Sequence, residues 1–292
     1  MLQQITPLPQ RTHGIGRLAT RAVNGQTRAT QLYQEGAFKA RCVPSHGADH
    51  CEIALINTAG GLTGGDVMTL NVNAGLNTKT VVTTQACEKF YRSDGAVAAV
   101  DIDLRLNACA QLHWLPQESI LFNQSQVRRR IDVEMAADAR LLLAETLLFG
   151  RQASGERYSA GSLCDHWTVR MTGRHVHSER LDMHASALEK AAHLAGYGAM
   201  STVLLVADDA HNFINSARKI IAAGPGTGAA SVWHVGGGCK MLVRTLAKDG
   251  YHLRKMVMPL LCITFATALA MARRRPRALG PASSFTQNGD AG

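Results

Sequence analysis

The chain has 292 residues, of which 46% are hydrophobic and 18% charged, with a formal net charge of +9. That balance is an ordinary globular composition, with enough chain to bury a large core. The basic clusters Arg128-Arg129-Arg130 and Arg273-Arg274-Arg275 with Arg277 carry no interleaved aromatics, so a solvated basic face is expected rather than a nucleic-acid site.

Residues 1–15, with two prolines and little periodicity, read as an irregular lead-in. Arg17 to Lys39 alternates loosely and suggests a pair of short strands. The segment Cys42 to Cys51 offers two thiols, two imidazoles and a carboxylate, a donor set that zinc or nickel accepts. Pro44 and Gly47 break it, and its spacings match no zinc finger, so a polar surface loop is expected. Next comes Ile53 to Ile56, then Asn57-Thr58-Ala59-Gly60-Gly61-Leu62-Thr63-Gly64-Gly65-Asp66, then the alternating Val67 to Val72. This reads as strand, sharp glycine loop, strand, with a backbone shape that side chains would obstruct. Gly60 and Gly65 stand at phosphate-loop spacing, but Asp66 and Val67 occupy the places of the required Lys and Ser/Thr. Asp66 can bond amides within a tight bend, or face a polar cavity and meet a cation.

From Val67 to Leu147 the signals are β throughout. Thr78–Gln85 is rich in β-branched residues, and Val97–Leu106 alternates with Ala98, Val100, Ile102, Leu104 and Leu106 toward the core. Gln111–Leu115 ends at Pro116. In Gln126–Met135, Val127, Arg129, Ile131, Val133 and Met135 share one parity, so Arg129 does not share a face with Arg128 or Arg130. Arg140–Phe149 is an apolar run holding one acid, Glu145. A loop with paired charges spans Gly150 to Tyr158, and strands resume at Ser162–Met171 and His175–Met183 around a turn at Gly173. Asp208-Asp209 is placed to cap a helix ending at Gly224, and Val232–Leu246 returns to β character. A last helix is expected from near Asp249. Its apolar run Met256–Ala272 is just short of a spanning length and reads as a packed soluble helix. Residues 1–272 form one expected domain, and 273–292 a basic, disordered tail. The fold class is therefore mainly β, with stacked mixed sheets of β-helix or sandwich type and about two flanking helices near the C-terminal third.

Seven cysteines, an odd number without CxxC, together with no signal-like start, point to reduced thiols in a cytoplasmic protein. The nucleophile elbow, H-E-x-x-H and the EF-hand loop are all absent. What remains are acids beside apolar or glycine-rich segments: Asp66, Glu118, Glu145, Glu156 and Glu179. Glu145 shares its parity with Leu141, Leu143, Leu147 and Phe149, so it needs a hydrogen bond, a cation or water. Pairing with a nearby Arg is one reading. A carboxylate-pair hydrolase, with two acids facing one another, is another. A basic nucleic-acid-binding module is a third, and would bind with steep salt dependence.

Several segments in order resemble the urease accessory protein UreD (UreH) family. They are Leu32-Tyr33-Gln34-Glu35-Gly36, Asn57 to Asp66, Thr83-Thr84-Gln85-Ala86 with Lys89-Phe90-Tyr91-Arg92-Ser93, Trp114-Leu115-Pro116-Gln117-Glu118, Gly150-Arg151, Gly155-Glu156 and Glu179-Arg180-Leu181. The resemblance runs over roughly residues 10 to 185 and is weaker beyond, through Gly237 to Arg244. At the end, Met271 to Arg277 departs from the family's pattern. It implies a mostly β protein of stacked sheets with two flanking helices and no catalytic turnover. It implies partners UreF, UreG through UreF, and apo-urease, in a heteromeric, dimer-forming complex without nucleic acid or membrane. It also implies no tightly held cofactor but transient Ni2+, delivered to urease through an internal tunnel whose acids fall on Asp66, Glu145 and Glu179. Oxygen ligands suit such transit because they bind a divalent ion weakly enough to release it, whereas a Cys/His cage would trap nickel.

Overall fold

The computed structural model describes residues 10–44, 49–151, 154–188, 190, 193–236 and 238–264. Its strands are β1 (His13–Val23), β2 (Gln26–Gly36), β3 (Phe38–Val43), β4 (Cys51–Asn57), β5 (Val67–Ala74), β6 (Lys79–Thr84), β7 (Glu88–Phe90), β8 (Ala98–Leu106) and β9 (Gln111–Leu115). Then follow β10 (Ser119–Leu121), β11 (Gln126–Met135), β12 (Arg140–Phe149), β13 (Ser162–Met171), β14 (Arg174–His184), β15 (Ala199–Ala207), β16 (Thr227–Val235) and β17 (Gly238–Ala247). Helices α1 (Ile214–Ala223) and α2 (Gly250–Thr264) lie in the C-terminal third. No helix among the described residues is long and apolar enough to cross a membrane.

Among the described residues, the strands form two sheets. One has seven strands in the order β14-β13-β11-β8-β5-β1-β2; the other has ten, along β16-β17-β15-β12-β9-β6-β4-β3, with β10 and β7 branching from β12. Between β4 and β13 the chain passes back and forth between them. β5, β8, β11 and β13 stack in parallel in the first sheet, and β4, β6, β9 and β12 do so in the second. These are solenoid-like coils, with the expected stacked mixed sheets and two late helices. Antiparallel strands close both ends of each sheet.

Alternation decides what faces what. Leu70, Ile102, Ile131 and Trp167 of the first sheet meet Val82, Leu112, Leu141 and Leu143 of the second in one core. The opposite face of the second sheet, with Leu142, Val203, Leu205 and Val243, packs on Leu253, Met256 and Leu260 of α2. The three layers are thus sheet, sheet and helices, and the outer face of the seven-stranded sheet meets solvent.

The glycine loop joins β4 of one sheet to β5 of the other. A Cβ on Gly61, whose φ is +153°, would lie 2.7 Å from the Lys89 carbonyl oxygen. Gly61→Ala should therefore lower stability by about 1–3 kcal/mol, read as a shifted denaturation midpoint. An unchanged midpoint would mean that the loop relaxes freely.

Three local readings change. Strand β1 begins at His13, inside the stretch read as an irregular lead-in. Gly14 and Gly16 hide its alternation, and Met68 and the Phe38 ring fill the spaces beside them. Cys42 and Cys51 lie in β3 and β4, not in the loop they bracket, of which residues 45–48 lie outside the described residues. Asp209 stands before a short 3-10 turn, Ala210–Phe213, but makes no side-chain cap; Arg140 takes its carboxylate instead. The cap does form at α2, where the His252 N–H donates to Asp249 Oδ1 at 2.9 Å. The expected tail at 273–292 and the helix beyond Thr264 lie outside the described residues.

Candidate functional site: an acid row between the sheets

Opposite charges meet where the two sheets face each other. Glu145 projects from β12 on the same side as Leu141, Leu143 and Leu147. Arg129 projects from β11 with Val127, Ile131 and Val133, toward the other sheet. Asp165 on β13 is its direct register partner and shares its face. The three are 3%, 5% and 2% exposed, so their charges must be satisfied internally.

They are. Arg129 holds Asp165 in bidentate fashion, Nε to Oδ1 at 2.9 Å and Nη2 to Oδ2 at 2.6 Å. Its Nη1 donates to Glu145 Oε2 and, at 3.4 Å, to Ser119 Oγ. Trp114 Nε1 donates to the other Glu145 oxygen at 2.7 Å, and Trp167 Nε1 donates to Asp165 Oδ1 at 3.0 Å. One guanidinium thus serves two carboxylates, leaving the cluster with one formal negative charge. Burial pushes the Glu145 carboxyl up; Arg129 opposes this and the charge of Asp165 adds to it. For Arg129, burial works against the charge, but Asp165 and Glu145 outweigh it and hold the proton more firmly.

A second pair crosses the layer beside it. Glu179 on β14 forms an ion pair with Arg244 of β17, its carboxylate 2.9 Å from Nη2. Thr202 is the register partner of both Glu145 and Arg244, and Arg244 Nε donates to its Oγ1 at 3.3 Å. Glu145, Thr202 and Arg244 therefore form a row across the inner face of the ten-stranded sheet. His177, buried and on the same strand as Glu179, has an Nε2 without a hydrogen-bond partner among the described residues. Burial, then Lys240, pushes its imidazole down to about 4, so it is neutral near pH 7.

Asp66 is buried where the glycine loop enters β5. Its Oδ1 accepts the Thr12 N–H at 2.7 Å and its Oδ2 the Thr63 N–H at 2.8 Å. That is the amide-bonding bend, tying the start of β1 to the loop. A cavity of about 450 Å³ between the sheets is lined by Met68, Trp114, Glu145 and Arg129, and also by Asn57 and Glu88. Neither Asp66 nor Glu179 is among its lining residues. The structure thus turns all three acids inward. It links Glu145 to Glu179 through Thr202 and Arg244, and gives Asp66 separate partners.

Glu118 and Glu156, the other acids singled out, are both paired. Glu118 lies 3.6 Å from Arg254 Nη1, and Glu156 takes Arg151 Nε at 2.9 Å. The hydrolase reading needs two facing acids, and Glu145 and Asp165 come nearest to that. Both are held by Arg129 and by an indole, so neither can act on a substrate before Arg129 moves. Asp165, His177 and Glu88 lie outside the set of acids that the sequence picks out. Asp165 had a signal, an acid at the parity of Leu163, Trp167 and Val169. So did Arg129, at an apolar parity of its own strand.

The family described as UreD urease accessory protein matches residues 12–278, which includes the C-terminal third. A urease accessory protein UreD 1 of Brucella anthropi is 43% identical over 261 residues, covering 87% of this chain and 91% of the relative. UreD 1 of Brucella abortus is 42% identical over 257 residues, covering 87% and 90%. The urease accessory protein UreD of Rhizobium etli is 41% identical over 258 residues, covering 87% and 92%.

Proposed function

The chain belongs to the UreD family of urease accessory proteins, and from that premise we propose that it is a non-catalytic scaffold and metallochaperone subunit. In this reading it binds apo-urease together with UreF and, through UreF, UreG, and assists GTP-dependent insertion of nickel. Ni2+ is transient cargo, and the work is done in the cytoplasm. The metal passes between the sheets along Asp66, Glu145 and Glu179.

The observation that carries this reading is the sheltered Glu145, reached by a cavity and matched to a cation without being fully neutralised. Carboxylate oxygens favour quick exchange of a divalent ion over tight capture. Arg129 supports release as well, because an arriving ion must compete with a guanidinium already in place. His177 adds a neutral nitrogen near Glu179.

The test is urease activation by Asp66→Asn, Glu145→Gln and Glu179→Gln in the full accessory complex. Activation should fall in these variants while co-purification with UreF, UreG and apo-urease is retained. Wild-type activation by all three, with normal complexes, would rule the acid path out. Melting curves for Asp66→Asn separate a lost metal contact from loosened bonds to Thr12 and Thr63.

A further inference from the structure

Strand β13 has two chemical faces. Asp165 points into the core, while Cys164 and His166 point out to the solvent side of the seven-stranded sheet. Cys164 is the register partner of Asp182 on β14. The Cys164 Sγ lies 3.4 Å from His166 Nε2, which lies 2.8 Å from Asp182 Oδ1. All three donor atoms fall within 4.8 Å of one another.

We propose that Cys164, His166 and Asp182 form a surface site for a late first-row divalent cation, separate from the interior acids. A thiolate, an imidazole and a carboxylate suit Zn2+, Co2+ or Ni2+ better than Mg2+ or Ca2+. Two paired strands fix the donors, so little order must be gained on binding. The side open to solvent leaves room for water to complete the coordination. On binding, the thiol releases its proton to solvent and sulfur, nitrogen and oxygen each give one lone pair to the ion.

The neighbouring cations are mostly occupied elsewhere. Arg128 and Arg130, next to the site on β11, are held by Asp101 at 2.9 and 3.1 Å, and Arg130 also by Asp132 at 2.6 Å. Arg180 is the exception. Its Nη1 sits 3.1 Å from His166 Nδ1, where it favours the tautomer that keeps a proton on Nε2. Metal at Nε2 puts that proton on Nδ1, facing Arg180, so this exposed side chain must turn away. Arg180 therefore weakens the site, and its removal should tighten it.

The experiment is a Co2+ titration of the reduced, full-length chain, followed by thiolate-to-cobalt absorption in the near ultraviolet, with Zn2+ competition. The expected result is a saturable band that Cys164→Ser abolishes. Asp182→Asn should weaken affinity about tenfold or more, and Arg180→Ala should strengthen it. Circular dichroism melts show whether each variant is folded. No thiolate band in the folded wild type overturns the proposal. So does a band that survives Cys164→Ser, whether or not it then depends on Cys239, whose Sγ lies 3.2 Å from His234 Nδ1. The readout involves neither urease nor the interior acids, so its failure leaves the proposed function standing, and the converse holds.

Discussion

Arg129→Met should lower the free energy of unfolding by about 3–5 kcal/mol near neutral pH. Methionine fills much of the volume, so the loss is electrostatic. Glu145 and Asp165 remain buried, with only Trp114, Trp167 and each other for company. Such a pair cannot stay doubly ionised, and one carboxyl takes up a proton. The deficit should therefore shrink as pH falls, since protonation relieves it. Replacing Glu145 and Asp165 as well, by Gln and Asn in the Arg129→Met background, should recover a large part of the loss, because no uncompensated charge is left. Urea denaturation of the single and triple variants at pH 5 and pH 8 measures both effects. A loss under about 1 kcal/mol for the single variant at pH 8 would show that the cluster is already wet and its charges screened. The same variant bears on metal transit: with the guanidinium gone, two acids face each other without a cation.

Glu88 offers the second large effect, with pH dependence as its signature. It is half-buried at the cavity lining, and burial pushes its carboxyl up to about 7, against a hydrogen bond from Asn57 Nδ2 at 3.0 Å. The folded state thus holds a proton more tightly than the unfolded chain does, where an ordinary Glu titrates near 4.5. Below that pH both states are protonated and no cost arises. Between about 4.5 and 7 the native state loses stability as pH rises, and above 7 the cost is constant. Glu88→Gln keeps the shape and the Asn57 contact without the charge. It should match wild type near pH 4 and be more stable at pH 8 by about 2 kcal/mol, discounted from 1.36 kcal/mol per pKa unit because the group still reaches solvent. Thermal melts across pH 4 to 8 test this. A difference that does not change with pH would mean Glu88 titrates as in water. A Glu88 that ionises near neutrality beside the cavity also gives the lining a charge that depends on pH.

Much of the fold was legible because period-two alternation is a local property. Ala98, Ile102, Leu104 and Leu106 are buried as their parity demanded, and so is the unusual Glu145 among its leucines. The two-residue turn at Thr172-Gly173, with φ of +51° and +77°, stands where the glycine placed it. The glycine loop likewise announced a crowded backbone, and Gly61 shows what crowds it.

Local sequence was enough to say which side chains share a strand face, where the chain turns, and that a carboxylate at 145 would need a partner. It did not determine the partner. Arg129 is 16 residues away and Asp165 is 36 from Arg129; they meet because parallel coils set β11 beside β13 and lay both sheets face to face. That register comes from the closure of many strands at once, and no local window contains it. The same holds for Cys164 and Asp182, which only the antiparallel pairing of β13 with β14 brought together.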